Sequence, residues 1–213
     1  NPGTDEILGL KTYPSIADVP DPVELAVIVL PAQVVLEQLE ACGKRGIKAV
    51  VIITGGFKEI GESGKALETE GLAIARRYGM RIVGPNCVGT LDTRTGLNST
   101  FIKGMPLPGP IAFISQSGAI CGGVIDLIVQ SKIGFSHFAS LGNEMDVTET
   151  DMLAYFGADP DVKVIAMYIE GIVDGQRFMR TAREVSRTKP IVFLKAGRND
   201  AGARAVSSHT GSL

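Results

Sequence analysis

The chain has 213 residues, 45% hydrophobic and 21% charged, a balance that places it among globular domains and excludes disordered, collagen-like and coiled-coil classes. At roughly 100 to 200 residues per domain, this length holds one large domain or two small ones. Its 21 basic and 23 acidic residues leave a net charge of −2 with no basic stripe for a polyanion, so no nucleic-acid partner is expected.

In chain order, the first apolar run is Ala26 to Leu30, followed by a segment of helical period from Val34 to Cys42. A second run, Ala49 to Thr54, leads to a helix over Gly64 to Tyr78, and a third spans Arg81 to Gly84. Periodicity then lapses between Thr95 and Pro110, where Gly96, Gly104, Pro106, Pro108, Gly109 and Pro110 continue neither a helix nor a central strand. This stretch is the expected linker, dividing a first unit (1–104) from a second (105–213). Beyond it come strand Ile111 to Ser115, helix Ala119 to Gln130, strand Phe135 to Ala139 and helix Thr148 to Phe156. Strand Val164 to Ile169, helix Gln176 to Arg187 and strand Ile191 to Leu194 complete the series. Most of these strands are uninterrupted apolar runs without polar alternation, the pattern of parallel strands covered on both faces. Strand and helix alternating this often predict an α/β architecture of two consecutive doubly wound parallel sheets. Both ends look unfinished, so a fragment of a longer polypeptide is expected.

Ligands of open α/β sheets bind at the carboxyl ends of strands, which directs attention to the residues just after each run. Ser115-Gln116-Ser117-Gly118 leads from a strand into an apolar helix, where backbone N–H groups and the helix dipole make an anion site. Ser115 or Ser117 serving only as an N-cap is the competing reading. Glu170 follows a buried strand and emerges at the same edge, either as a partner that orients a histidine or as an ordinary loop carboxylate. His209, among Ser207, Ser208, Thr210, Gly211 and Ser212, is a candidate nucleophile or simply an exposed loop imidazole. His137, inside an expected strand, reads as structural. Cys87, at the tip of Gly84-Pro85-Asn86-Cys87, has no base assigned to it and reads as a lining residue near a thiol-bearing ligand. Asp146 is either an oxyanion-site residue or an N-cap for the helix from Thr148.

The chain contains neither GxGxxG nor GxxxxGK[ST], which argues against a dehydrogenase or a P-loop enzyme. Two histidines and no paired cysteines supply no recognisable metal shell. Cys42, Cys87 and Cys121 form no CxxC pair, which fits a reducing compartment. No apolar run approaches the roughly 18 to 20 residues of a membrane span, and Asn1-Pro2-Gly3-Thr4 is neither basic nor apolar, so a cytoplasmic location without membrane association is expected.

Together, and in order, Gly84-Pro85-Asn86-Cys87, Ser115-Gln116-Ser117-Gly118, Tyr168-Ile169-Glu170-Gly171 and Ser208-His209-Thr210-Gly211-Ser212 resemble the NDP-forming acyl-CoA synthetases. The resemblance is nearest to the ADP-forming acetyl-CoA synthetases and more distant to the succinyl-CoA synthetase α subunit. It runs over essentially the whole chain, including Leu25 to Ala32 and Thr54-Gly55-Gly56-Phe57-Lys58-Glu59. It implies a partial Rossmann-like CoA-binding domain followed by a flavodoxin-like domain. By the same resemblance His209 is the phosphohistidine and Glu170 the carboxylate that orients it. Ser115, Ser117 and Gly118 match the phosphate cradle; Asn86 and Cys87 match the turn facing the CoA thiol and acyl group; Pro31, Thr54 and Gly55 match the CoA pocket lining. The implied reaction interconverts acyl-CoA, phosphate and ADP with carboxylate, CoA and ATP. ADP or ATP and Mg²⁺ belong in that family to an ATP-grasp subunit or fused domain, within an oligomer. The family's glycine-rich CoA loop and its ATP-grasp part are not among these residues. Two further classes stay open beside the enzyme component: a CoA-binding regulatory module, as in the synthetase-like half of some protein acetyltransferases, and a purely structural subunit-contact domain.

Overall fold

The structure is a computed structural model and describes residues 3–197. It opens with a small antiparallel ribbon of β1 (Glu6–Ile7) and β2 (Leu10–Lys11). The first unit is a parallel three-stranded sheet of β3 (Leu25–Ile28), β4 (Ala49–Ile52) and β5 (Arg81–Val83), in that order. Crossover helices α1 (Ala32–Lys44) and α2 (Glu62–Tyr78) both lie on the same face. They lie together because the chain moves across the sheet in one direction, and right-handed crossovers then put successive helices on one side. Val35, Leu39 and Cys42 of α1 and Ile74 and Ala75 of α2 cover Ile28, Val50, Ile52 and Ile82 of the strands. Each such aliphatic side chain contributes roughly 1.5 to 3 kcal/mol on full burial.

The second unit is a six-stranded sheet in the order β11-β10-β8-β9-β6-β7. Its strands are β6 (Gly89–Asp92), β7 (Leu97–Asn98), β8 (Pro108–Ser115), β9 (Phe135–Ser140), β10 (Val164–Ile169) and β11 (Ile191–Lys195). The four strands β8 to β11 are mutually parallel, whereas β6 runs antiparallel to β9 and β7 antiparallel to β6. Helix α3 (Gly118–Val129) packs on one face against Phe113, Phe138 and Leu91. Helices α4 (Glu149–Ala158) and α5 (Gly175–Val185) pack on the other against Ala112, Ile114, Ile165 and Met167. The sheet is thus doubly wound, and the α/β class expected from the apolar runs is the observed one. Residues 89–98 precede the boundary expected at 104, yet they hydrogen-bond into the second sheet. The prolines at 108 and 110 lie in β8, whose pairing with β9 is irregular there.

The two units are tied by the segment after β9. Val147, Met145 and Asn143 donate their backbone N–H groups to the carbonyls of Ile82, Gly84 and Pro85 at 2.9 to 3.0 Å, alongside the end of β5. Met145 is buried in the first unit's core, and Val83 of β5 packs against the second unit's core. No helix among the described residues is long and apolar enough to cross a membrane.

Candidate active site

The topology itself selects a location. From β8 the chain winds through α3 to β9 on one side and then through α4 to β10 on the other, so the strand order reverses between β8 and β10. Ligand sites of open α/β sheets lie at such switch points, outside the carboxyl ends of the strands. Ser115 ends β8 there, Gln116 and Ser117 follow it, and Glu170 follows β10.

Glu170 is buried, and its Oε2 has no hydrogen-bond partner among the described residues. Its backbone is held from both sides: the N–H donates to Gln116 Oε1 at 2.6 Å, and the carbonyl accepts from Lys195 Nζ at 2.6 Å. Gln116 also accepts from Gly171 N at 2.9 Å and donates through Nε2 to Gly171 O at 2.9 Å and to Glu144 Oε2 at 2.7 Å.

The serines are occupied within their own turn. Ser115 Oγ donates to Ser117 O at 2.8 Å and accepts from Ser117 N at 3.1 Å, which shapes the turn into the helix. Ser117 caps α3 by accepting from Ile120 N, the N-cap role left open by the sequence. Helix geometry gives the first-turn N–H groups of Gly118 and Ala119 no intrahelical acceptor, so they are the donors this turn offers to an anion. A Cβ at Gly118 would lie 3.1 Å from Val88 Cγ2, which brings the helix start against the segment following Cys87.

The second group sits at the carboxyl ends of β3, β4 and β5. Pro31 starts α1, Thr54 Oγ1 donates to Leu30 O at 2.6 Å, and Asn86 N donates to Thr54 O at 2.8 Å. Asn86 adopts a positive φ of 57° at the tip of its turn, a conformation Asn tolerates. Gly55 fits closely beneath it, since a Cβ there would come within 3.1 Å of both Asn86 Oδ1 and Glu59 Oε1. Cys87 is buried and donates to Ile52 O at 3.3 Å. Burial pushes its thiol up to about 12, so it lines the turn as a neutral group and not as a thiolate nucleophile. Burial pushes Cys121, in the first turn of α3, up to about 12 as well.

Asn143 and Glu144 join the two groups. Asn143 Oδ1 accepts from Asn86 Nδ2 at 3.3 Å, and its Nδ2 donates to Glu59 Oε2 at 2.5 Å and to Glu68 Oε1 at 2.6 Å. Lys58 donates to the Asn143 carbonyl. Burial raises Glu59, but hydrogen bonds from Asn143 and the Gly56 and Phe57 N–H groups outweigh it and hold the carboxyl below its usual range. At Glu68 burial prevails over the Asn143 hydrogen bond and Lys58, and the carboxyl is raised. Glu144, at a positive φ of 56°, accepts from Gln116 and from Glu149 N at 3.0 Å. Burial first, then the neighbouring Glu149, pushes its carboxyl up to about 8.

Asp146 is not the N-cap of α4. Its Oδ2 accepts from Arg81 Nε and Ile82 N, both at 2.8 Å, while Thr148 caps α4 in a capping box with Asp151. His137 is structural: its ring lies 4.9 Å from that of Phe156, and Nε2 is 3.0 Å from the Arg94 guanidinium. His209 lies outside the described residues. The structure therefore brings Glu170, Ser115, Ser117 and Gly118 into one group and Pro31, Thr54, Gly55, Asn86 and Cys87 into another. It adds Gln116, Asn143 and Glu144, to which the sequence alone assigns no role.

A family model for a CoA binding domain matches residues 1–93, and one for a succinyl-CoA ligase like flavodoxin domain matches residues 108–213. The chain is 48% identical over 209 residues to acetate–CoA ligase [ADP-forming] II subunit alpha of Pyrococcus furiosus, covering 98% of this chain and 46% of that one. It is 44% identical over 217 residues to 4-hydroxybutyrate–CoA ligase [ADP-forming] of Nitrosopumilus maritimus, covering all of this chain and 31% of that one. Among solved structures, the dinucleotide forming acetyl-coenzyme A synthetase 1 of Ca. Korarchaeum cryptofilum, in complex with phosphate and ADP, superimposes with a TM-score of 0.94 at 46% identity. That match covers all of this chain and 46% of the other. The chain thus spans less than half the length of these relatives. With the two family models lying end to end over nearly its whole length, the chain belongs to the NDP-forming acyl-CoA synthetases.

Proposed function

We propose that this chain is the acyl- and phosphoryl-handling part of an ADP-forming acid–thiol ligase. It would interconvert acyl-CoA, phosphate and ADP with carboxylate, CoA and ATP. The observation that carries the reading is Glu170: a buried carboxylate at the switch point, with one oxygen unpartnered among the described residues, beside the capped start of α3. A carboxylate so placed orients and holds a histidine that must alternate between nucleophile and phosphoryl carrier.

In the first step a phosphate oxygen attacks the thioester carbonyl, the C–S bond breaks, and CoA leaves as the thiol with the proton phosphate gives up. Pro31, Thr54, Gly55, Asn86 and Cys87 line the CoA and acyl end of the site, and the close fit of Gly55 beneath Asn86 supports a cradle there. In the second step a neutral nitrogen of His209 attacks phosphorus, the P–O bond to the acyl oxygen breaks, and the carboxylate departs. The Ser115-Ser117-Gly118 turn supplies N–H donors and a helix dipole to the phosphoryl oxygens, a preorganised environment for transferred charge. His209 then passes the phosphoryl group to ADP. Nucleotide and Mg²⁺ would be held by an ATP-grasp subunit or domain, which is the partner this reading requires.

The test is intact-mass analysis after incubation with acetyl phosphate and Mg²⁺, on the wild type and His209→Asn. One acid-labile phosphoryl group in the wild type alone is the expected result. A folded His209→Asn variant that takes up phosphoryl equally well overturns the reading.

A further inference from the structure

Gln116 bridges the ends of β8 and β10. Its backbone N–H donates to Tyr168 O at 3.1 Å, continuing the β8–β10 ladder, and its side chain then reaches across to the turn at Glu170. A side-chain amide has two N–H donors and a carbonyl with two lone pairs. Here all four are used: Oε1 accepts from Glu170 N and Gly171 N, while Nε2 donates to Gly171 O and Glu144 Oε2. The amide therefore has one satisfied orientation, because turning it over would face its donors to two N–H groups and its oxygen to a carbonyl and a carboxyl. Half-buried Glu144 is itself anchored, since its other oxygen accepts from Glu149 N at the start of α4.

Both peptide groups flanking Glu170 are thus immobilised, one through Gln116 and one through Lys195, while the carboxylate's Oε2 is left without a partner among the described residues. We infer that Gln116 is a positioning residue for phosphoryl transfer: it touches no reacting atom, but it fixes the turn that aims the Glu170 carboxylate, with Glu144 as its anchor. The inference rests on the functional reading above. A hydrogen-bonded amide is demanded at this position, because an apolar side chain of the same length leaves two N–H groups without their acceptor and lets the turn drift.

The test measures His209 phosphorylation by acetyl phosphate in the full-length protein, for the wild type, Gln116→Leu and Gln116→Glu. In Gln116→Leu the maximal rate should fall about 100-fold, the loss that a displacement of roughly 1 Å carries. The half-saturating acetyl phosphate concentration should stay within about 2-fold, because only alignment in the transition state is lost. Gln116→Glu keeps an acceptor for Glu170 N and Gly171 N but needs a proton to face Glu144 and Gly171 O. The charged groups around it are Glu144 and Glu170, with Glu149 and Lys58 beyond Glu144 and Lys195 beyond Glu170. Its rate relative to the wild type should therefore rise as pH is lowered, which a merely structural substitution does not produce.

A folded Gln116→Leu protein phosphorylated at the wild-type rate overturns the inference and leaves the ligase reading standing. So does a rate ratio for Gln116→Glu that is flat with pH, the measurement that decides the matter if Gln116→Leu does not fold. Absence of phosphorylation in the wild type overturns both.

Discussion

Glu144 gives the sharpest test of the electrostatics. Its carboxyl is buried, faces Glu149, and titrates at about 8 in place of 4.5, so between those values the folded chain holds a proton that the unfolded chain has released. Where the native state binds the extra proton, stability falls as pH rises. This contribution is present in full below pH 4.5, declines through the neutral range, and is lost once pH passes about 8. At about 1.4 kcal/mol per pH unit, a rise from 4.5 to about 8 corresponds to about 5 kcal/mol of stability. Glu144→Gln cannot ionise, and its carbonyl still accepts from Gln116. The comparison to make is urea unfolding of both proteins at intervals from pH 5 to 9, because the difference between them cancels the remaining titrating groups. The variant should be equal to or slightly weaker than the wild type at pH 5, where its amide meets Glu149 N less well than a carboxyl oxygen does. By pH 8.5 it should be the more stable by several kcal/mol. Parallel stability curves for the two proteins would refute the argument and return Glu144 to an ordinary ionised carboxylate.

Gly142→Ala should be severely destabilising: the residue sits at a φ of 56°, and a Cβ would lie 2.3 Å from Pro85 O and 2.4 Å from Asn86 O. Backbone atoms at that distance cannot yield locally, so a loss of about 3 kcal/mol or more in chemical denaturation is expected, and a loss under about 1 kcal/mol contradicts the packing of this segment on the Asn86 turn. Cys87 and Cys121, whose thiols burial pushes up to about 12, should resist thiol reagents in the folded protein and react on unfolding. Fast labelling of Cys87 at pH 8 in the native state would show that it carries a reactive thiolate.

The parts of this molecule legible in the sequence are those fixed by near neighbours. The parallel strands show as apolar runs because both faces are covered, and Ser117 can be read as a cap because its acceptor role serves Ile120, three residues on. Glu170 is legible too, since it follows a buried strand directly. The strands β6 and β7 escape this reading because four and two residues carry no period of their own. β6 is a strand by virtue of β9, more than forty residues later, whose Ala139 and Phe138 pair with Thr90 and Leu91, and β7 in turn pairs with β6. Asp146 is misread for the same reason. Its local neighbours suggest a cap, while its partners Arg81 and Ile82 lie more than sixty residues upstream. Gln116 shows the limit most clearly: its place in the Ser115 to Gly118 turn is visible, but its four hydrogen bonds lead to Glu144, Glu170 and Gly171, a convergence that only the winding of the sheet creates.

That winding also explains why a site assembled from two units holds together. Asn86 follows β5, Asn143 and Glu144 follow β9, Gln116 follows β8 and Glu170 follows β10, so every member stands at the carboxyl edge of a parallel strand. Such edges converge only if the two sheets are docked with their carboxyl ends toward each other. The segment from Asn143 to Val147 enforces this by donating backbone hydrogen bonds to Ile82 of β5 and to Gly84 and Pro85 just after it. Asn143 then faces the first unit through Asn86, Glu59 and Glu68, and Glu144, one residue later, faces the second through Gln116 and Glu149. Adjacent residues of one chain cannot separate, and each is anchored by buried or half-buried hydrogen bonds. The turns at Asn86 and Glu170 are therefore held at a distance set by one peptide bond and four side chains, independent of the exposed ion pairs at the rim, such as Arg81 with Asp146, which contribute little.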